Sequence, residues 1–268
     1  MKIIVCVKQV PDTSDIKWTE NNTLVREGLE SILNPYDEYA IEAALQIKEL
    51  HQDVEITALT MGPPQAIEVL KRAIAMGADD GVLLSDRKFA GADTVATSAT
   101  LSAAIKNQLG EFDLIICGQY AIDGDTAQTG PSIAESLDLP QVTYVKNIKN
   151  IDNASLTVET LHEEDIQLVK VALPALICVG KIDTTPRQPK ISGFMKAKDT
   201  DIKTIGLDDI GLTPDEVGIK GSPTFVSKAF RANQKEAGEI LDEGDLEKNV
   251  KLLVSKLKEL NIIGGNND

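Results

Sequence analysis

Short apolar runs alternate with helix-period segments through the first two-thirds of the chain, and no other feature narrows the fold as much. Residues 3–7, 54–60, 81–84 and 114–117 are apolar runs of the kind expected of parallel strands buried on both faces. Between them lie segments with apolar residues at helical spacing. One spans 37–50, with Ala40, Ile41, Ala44 and Leu45. Another follows Gly62-Pro63-Pro64 through Ala66, Val69, Leu70, Ala73 and Ile74 and stops at Gly77, and a third spans 93–109. Asn34-Pro35 fits the start of the first helix. A polar loop, 118–129, leads into a helix over 131–137. This order predicts a parallel sheet covered by helices on both faces, a three-layer α/β fold. Ligands in such sheets bind beyond the carboxyl ends of the strands, so the segments after Val7, Thr60 and Cys117 are the places to look.

From Gln141 the period changes. Residues 142–145, 155–161 and 167–172 read as short strands joined by turn-like segments at 150–153 and 162–165, an antiparallel extension of the sheet. Residues 175–179 return as an apolar strand. Beyond about Thr184 the globular pattern fails. Residues 186–190 read as a loop, 186–203 carry a local basic excess, and 208–232 are rich in Gly and Pro. One amphipathic helix follows over 245–260, with Leu246, Val250, Leu253, Leu257 and Leu260 on one stripe. The expected organisation is a domain over 1–184 and a loop plus C-terminal arm over 185–268.

Composition excludes several functions. The 27 Lys and Arg against 42 Asp and Glu leave a net charge of −15, which repels phosphate backbones, and aromatics are only 4%. Nucleic-acid binding is therefore not expected. Cys6, Cys117 and Cys178 each sit in an apolar run, no CxxC occurs, and the two histidines are far apart, so neither a disulfide framework nor a metal site is expected. The N-terminal apolar run is too short for a signal peptide, and no stretch approaches the ~20 apolar residues of a bilayer span. A soluble, cytoplasmic protein without membrane insertion is expected.

The most informative loop is Gly118 through Pro131. It follows a buried strand and leads into a helix, its small residues permit close backbone approach, and Thr126, Gln128 and Thr129 offer hydrogen bonds. The amides of the following helix favour an anion such as a diphosphate. The pattern is neither a Walker loop nor G-x-G-x-x-G. Asp123 and Asp125 read as loop or Asx-turn residues in preference to metal ligands. No Ser-His-Asp or Cys-His arrangement is visible, so no catalytic side chain is assigned.

Along nearly its whole length the chain resembles the β subunit of electron transfer flavoproteins. The stretches that carry the resemblance are Val5-Cys6-Val7-Lys8-Gln9-Val10-Pro11-Asp12, Asn34-Pro35-Tyr36-Asp37-Glu38, Ala75-Met76-Gly77-Ala78-Asp79 and the loop from Ala121 to Gly130. The family's signature region also appears, from Val158 through Glu163-Glu164-Asp165 and Gln167 to Pro174-Ala175-Leu176-Ile177-Cys178. It departs from the pattern at Thr160, where Lys or Arg is usual.

The resemblance implies an adenine-nucleotide α-hydrolase-like fold, a heterodimer with an α subunit, and a C-terminal arm that embraces it. Simple members hold AMP in the β subunit; in electron-bifurcating members FAD fills that site and NADH reduces it. Asp123-Gly124-Asp125-Thr126-Ala127-Gln128 is similar to the bifurcating pattern, since a side chain in place of Gly124 would crowd a continuing diphosphate. Adenylate contacts would then fall on Cys6, on Asn34, Tyr36 and Asp37, on Met61, and on Ala121, Asp123, Gly124, Asp125, Thr126, Gln128 and Thr129. Lys8 would neutralise a phosphate. Ile191 and Met195 would meet an acyl-CoA dehydrogenase-type partner through the basic loop. The implied function is hydride acceptance from NADH by FAD, with one electron passed to ferredoxin and the other, through the α-subunit FAD, to the dehydrogenase. The alternatives are an AMP-holding carrier subunit and, in another class, a nucleotide-binding regulatory module without flavin.

Overall fold

The structure is a computed structural model that describes residues 1–12, 31–51, 53–163, 165–227, 238, 240–242 and 244–263. The chain divides into two compact units, Met1–Ala229 and Phe230–Asp268.

In the first unit a nine-stranded sheet runs through the centre. Its strands are β1 (Lys2–Cys6), β4 (Glu55–Met61), β5 (Asp80–Leu84), β6 (Leu114–Gly118), β7 (Gln141–Ile151), β8 (Ser155–His162), β9 (Asp165–Ala172), β10 (Ala175–Val179) and β11 (Lys203–Ile205), in the order β11-β5-β4-β1-β6-β10-β7-β8-β9. Strands β11 to β7 are parallel, and β7, β8 and β9 form the expected antiparallel meander. The three-layer α/β reading holds.

The apolar runs explain the layers. Because successive side chains alternate faces, Ile3, Val5, Ile56, Leu114, Ile116 and Ile177 join one core, which also takes up Ala40, Ile41 and Ala44 of α1 (Pro35–Leu50) and Leu70 and Ile74 of α2 (Ile67–Met76). Ile4, Leu59, Leu84, Ile115, Cys117, Leu176 and Cys178 join the other core. There they meet Leu101 and Ala104 of α3 (Thr94–Ala104) and Ile133 and Ala134 of α4 (Thr129–Ser136). Asp93 caps α3 by accepting from the Val95 and Ala96 amides at 3.0 Å. The pattern of 93–109 is helical throughout, but its last turn, Ile105–Leu109, widens to a π-helix.

The segment after Thr184 departs from expectation. Ile191 is the first residue of a helix, α5 (Ile191–Asp199), and does not lie in the basic loop. Ala197 faces inward at the helical interval, and a Cβ on Gly193 would stand 2.1 Å from the Ala75 carbonyl, so only glycine allows this approach to α2. Strand β11 then lengthens the sheet beside β5, and two four-residue helices, α6 (Leu207–Ile210) and α7 (Gly218–Gly221), follow. Strands and helices this short carry too few residues for a period to show. A two-stranded antiparallel pair, β2 (Gln9–Pro11) with β3 (Ser31–Leu33), also escaped the sequence reading.

In the second unit α8 (Leu246–Glu259) forms as expected, capped by Asp245, which accepts from the Lys248 amide at 3.0 Å. None of its residues is buried. Glu164, residues 228–232 and residues 264–268, which the sequence reading includes, lie outside the described residues. Among the described residues no helix is long and apolar enough to cross a membrane.

Candidate functional site

The chain leaves β1 for β4 on one side and later places β6 on the other. The carboxyl ends of β1 and β6 therefore flank the point where the winding reverses, the usual ligand crevice of an open parallel sheet. Residues 6–8, 34–37 and 118–129 converge there.

A buried carboxylate holds this end together. Asp37, in the first turn of α1, accepts from the Lys8 amide at 2.7 Å, from the Asn34 side-chain amide at 2.9 Å, and from the Gly118 amide. Asn34 reaches onward: its Nδ2 donates to the Tyr120 carbonyl at 3.0 Å, and its Oδ1 accepts from the Ile122 amide at 3.2 Å. A Cβ on Gly118 would lie 2.2 Å from Asp37 Oδ1, which explains the glycine at the end of β6. Burial pushes the Asp37 carboxyl up to about 7, against the opposing pull of its Asn34 and Lys8 bonds.

Above this clasp the loop is polar. Lys8 Nζ, at the exit of β1, donates to both oxygens of Asp123 at 2.7 and 2.9 Å. The Ala121 carbonyl accepts from the Gly124 and Asp125 amides at 3.2 and 2.8 Å, closing a turn. Asp125 and Ala127 adopt left-handed φ of 48° and 52°. For Ala127 this strain amounts to about 1–3 kcal/mol, a cost that concentrates at ligand sites. Gly124 lies outside the left-handed region, and nothing stands within 4 Å of a Cβ built on it. Gln128 precedes α4 without a side-chain cap, so the first amides of that helix are free of capping from their own turn. The Tyr36 and Tyr120 rings lie 4.2 Å apart at 42°, with their hydroxyls bonded to each other; that bond, then burial, holds the Tyr36 phenol above its usual range.

Cys6, Cys117 and Cys178 are in register across β1, β6 and β10 and form a row of thiols beneath the loop. A hydrogen bond with Cys6, then burial, pushes the Cys117 thiol up, and burial pushes Cys178 up to about 12. These two are packing groups, not nucleophiles. Cys6 and Met61 end their strands and pack against the same core. Among the described residues no group of three His, Cys, Asp or Glu is placed to hold a metal ion.

A second surface lies on α5. Ile191, Phe194 and Met195 are 85%, 54% and 56% exposed, one apolar stripe at i, i+3 and i+4. The chain leading into it is fixed. Arg187 Nε and NH2 donate to the two oxygens of buried Glu42 at 2.8 Å, NH1 donates to Glu49 at 2.7 Å, and the Arg187 amide donates to Glu42 at 3.0 Å.

Cys6, Lys8, Asn34, Tyr36, Asp37, Ala121 and Asp123 thus come together at the switch point. Met61 lies on the neighbouring strand β4, and Gly124, Asp125, Thr126, Gln128 and Thr129 continue the loop into α4. The side chains of Asn34 and Asp37 are spent on protein partners. Ile191 and Met195 form a separate surface on α5. The sequence reading passed over Tyr120, although an aromatic directly after a strand-ending glycine was its signal. It also missed Phe194, which the helical interval from Ile191 would have disclosed.

The electron transfer flavoprotein domain matches residues 21–210. The chain is 46% identical over 264 residues to the caffeyl-CoA reductase-Etf complex subunit CarD of Acetobacterium woodii, covering 98% of this chain and all of that one. It is 45% identical over 251 residues to the electron transfer flavoprotein subunit beta of Megasphaera elsdenii, covering 91% and 93%. Identity to the acryloyl-CoA reductase electron transfer subunit gamma of Anaerotignum propionicum is 44% over 270 residues, covering 98% and all of that chain. With matches of this extent over the same loop and strands, the chain belongs to the electron transfer flavoprotein family, as a β subunit.

Proposed function

We propose that this β subunit binds FAD at the β1/β6 switch point and works with its α subunit in an NADH-dependent, electron-bifurcating flavoprotein complex. The observation that carries the reading is Gly124. Its conformation does not call for glycine, and open space stands where its side chain would be. That opening accommodates a phosphate chain continuing past an adenylate.

The donor set suits such a group. Lys8 supplies a cation at the β1 exit, in exchange with Asp123, and the uncapped amides of α4 add a favourable dipole for an anion. The half-buried rings of Tyr36 and Tyr120 offer an aromatic surface to an adenine. Cys6 and Met61 supply apolar flooring, and Asp125, Thr126, Gln128 and Thr129 line the way to α4. The flavin, when bound, supplies the hydride acceptor for NADH and the branch point for ferredoxin and the α-subunit FAD; the protein supplies position and electrostatics. Names among the relatives, caffeyl-CoA reductase-Etf complex and acryloyl-CoA reductase, support an acyl-CoA dehydrogenase-type partner. We assign that contact to Ile191 and Met195 on α5, the arm of 230–268 to the α subunit, and the site of action to the cytoplasm.

The test is a count of bound groups in the purified heterodimer. Two flavins per heterodimer are expected. One flavin with AMP would replace this reading by that of a simple carrier, and a nucleotide without flavin would point to a regulatory module.

A further inference from the structure

We infer that Asp37 is the positioning residue of the nucleotide loop: its ionised carboxylate, spent entirely on protein donors, ties the exits of β1 and β6 to the loop through Asn34. The inference rests on the reading of this crevice as a nucleotide site, and it changes the expected role of Asp37 from contact to support.

Three observations carry it. First, every bond given to the Asp37 carboxylate comes from an N–H: the Lys8 amide at 2.7 Å, Asn34 Nδ2 at 2.9 Å, and the Gly118 amide. An ionised carboxylate is acceptor-only and suits such a ring, whereas a protonated one directs an O–H at a donor and gives up a bond. Second, Asp37 is buried, and the 2.2 Å between its Oδ1 and a Cβ on Gly118 leaves no room for a ligand atom between them. Third, Asn34 stands at the N-cap of α1 but makes no side-chain capping bond there. Its amide is diverted to the loop, bridging Asp37 Oδ1 to the Tyr120 carbonyl and accepting from the Ile122 amide. An N-cap asparagine that leaves its own helix uncapped forgoes the usual capping bond because its amide is holding something else.

The groups around Asp37 set its response to pH. Lys8, from the β1 exit, favours the ionised form, although its ammonium is also bonded to Asp123 of the loop. Cys117, from β6, has its thiol pushed up in part by this carboxylate. Tyr36 from α1 and Tyr120 from the loop pair with each other above it. Burial opposes ionisation most strongly and brings the group to about 7. The clasp is therefore made and released around neutral pH. Ligand affinity should rise with pH through 7, since the ordered loop belongs to the ionised form. Folding stability responds in the opposite sense. A carboxyl raised from 3.8 to about 7 binds its proton more tightly when folded, so its contribution is full below about 4 and is lost as pH rises toward 7. Opposite slopes for affinity and stability distinguish a positioning carboxylate from one that only fills space.

The experiment uses the full chain with its α subunit, stripped of nucleotide, and calorimetric titration with AMP, the adenylate that FAD also contains, at pH 6, 7 and 8. The ratio of wild-type to Asp37→Asn affinity is the readout, because the ionisation of AMP itself is common to both and cancels. The ratio is expected to grow in favour of wild type by up to about tenfold from pH 6 to pH 8, the change in ionised fraction of a group near 7. An unchanged ratio, or Asp37→Asn binding as tightly as wild type at pH 8, overturns the inference. Should that variant fail to fold, Asn34→Ala removes the bridge but keeps the titrating carboxylate; several-fold weaker AMP binding at every pH is expected, and wild-type affinity overturns the inference. If the wild-type heterodimer binds no AMP at any pH, the nucleotide reading itself falls and takes the inference with it.

Discussion

Replacing Gly124 with Asp separates the requirements of the loop from those of its ligand. In the protein alone the change is tolerated. Gly124 is exposed, its φ lies outside the left-handed region, and a Cβ there meets nothing within 4 Å. Exposed positions of this kind shift stability by no more than about 0.5 kcal/mol, so the melting temperature should stay near wild type. A bound diphosphate changes the outcome, because the new carboxylate would stand beside its charges. Two like charges about 4 Å apart repel by about 1 kcal/mol in bulk water and about 4 kcal/mol at the effective dielectric of a protein surface. The loop is open to solvent on one side, so a cost of about 1.5–3 kcal/mol is expected, roughly ten- to a hundredfold in affinity. The assay is the flavin-to-protein ratio of the copurified heterodimer after extensive dialysis, with AMP measured in the same extract. The variant should drop from two flavins toward one and keep the α-subunit flavin. Two flavins retained after dialysis would refute the assignment of this opening to the diphosphate.

Removing residues 245–268 takes away α8 and the exposed Leu246, Val250, Leu253 and Leu260; at ~1.5–3 kcal/mol for each side chain fully buried in a complex, the heterodimer dissociation constant should rise more than a hundredfold, and an unchanged constant in sedimentation would place the helix elsewhere. Ile191→Ala should cut electron delivery to the dehydrogenase more than tenfold, since hot-spot truncations exceed ~1.4 kcal/mol, while NADH-driven dye reduction stays normal; a parallel fall in both would mean that the side chain serves the fold. Arg187→Ala takes the guanidinium away from buried Glu42 and should lower stability by about 3–5 kcal/mol at neutral pH in chemical denaturation. Burial alone would raise the Glu42 carboxyl, but the Arg187 bonds hold it below its ordinary value. The pair therefore stabilises at neutral pH and weakens as pH falls into the acid range, so the gap between wild type and variant should narrow there.

The parallel core was legible because burial on both faces writes itself as uninterrupted apolar runs. The sequences of β1, β6 and β10 could hardly be anything else, and each lies within a residue or so of its expected bounds. The meander was legible for the opposite reason, its alternation and its turns. What escaped was short or non-local. Strand β11 has three residues and is a strand only because β5 offers an edge. Helix α5 looked like part of a basic loop because five Lys and Arg outnumber two Asp over 186–203, while its packing depends on one glycine against Ala75. The loop was found through its place after β6, but the positions of its backbone strain were not. Asp125 and Ala127 take the left-handed conformations, so the freedom usually credited to glycine falls on residues that lack it.

Charge was the least legible property, and α1 shows why. Its carboxylates at 37, 38, 42 and 49 look alike in sequence. In the fold Asp37 and Glu42 are buried, one under the loop and the other under Arg187, while Glu38 and Glu49 remain reachable by solvent. No periodicity separates the two kinds, because the difference lies in chain segments distant in sequence, at residues 8, 118 and 187. A buried carboxylate persists only where donors are supplied, so the position of each donor is as much a part of the site as the acid it meets. One helix thereby anchors both surfaces: through Asn34 and Asp37 at its first turn it fixes the nucleotide loop, and through Glu42 and Glu49 farther along it fixes the lead-in to α5. The anchors share no partner, so their energies should add. Loss of Arg187 should leave AMP affinity intact, and loss of Asp37 should leave the α5 surface intact, which makes the nucleotide site and the partner surface separable by mutation although they rest on the same sixteen-residue helix.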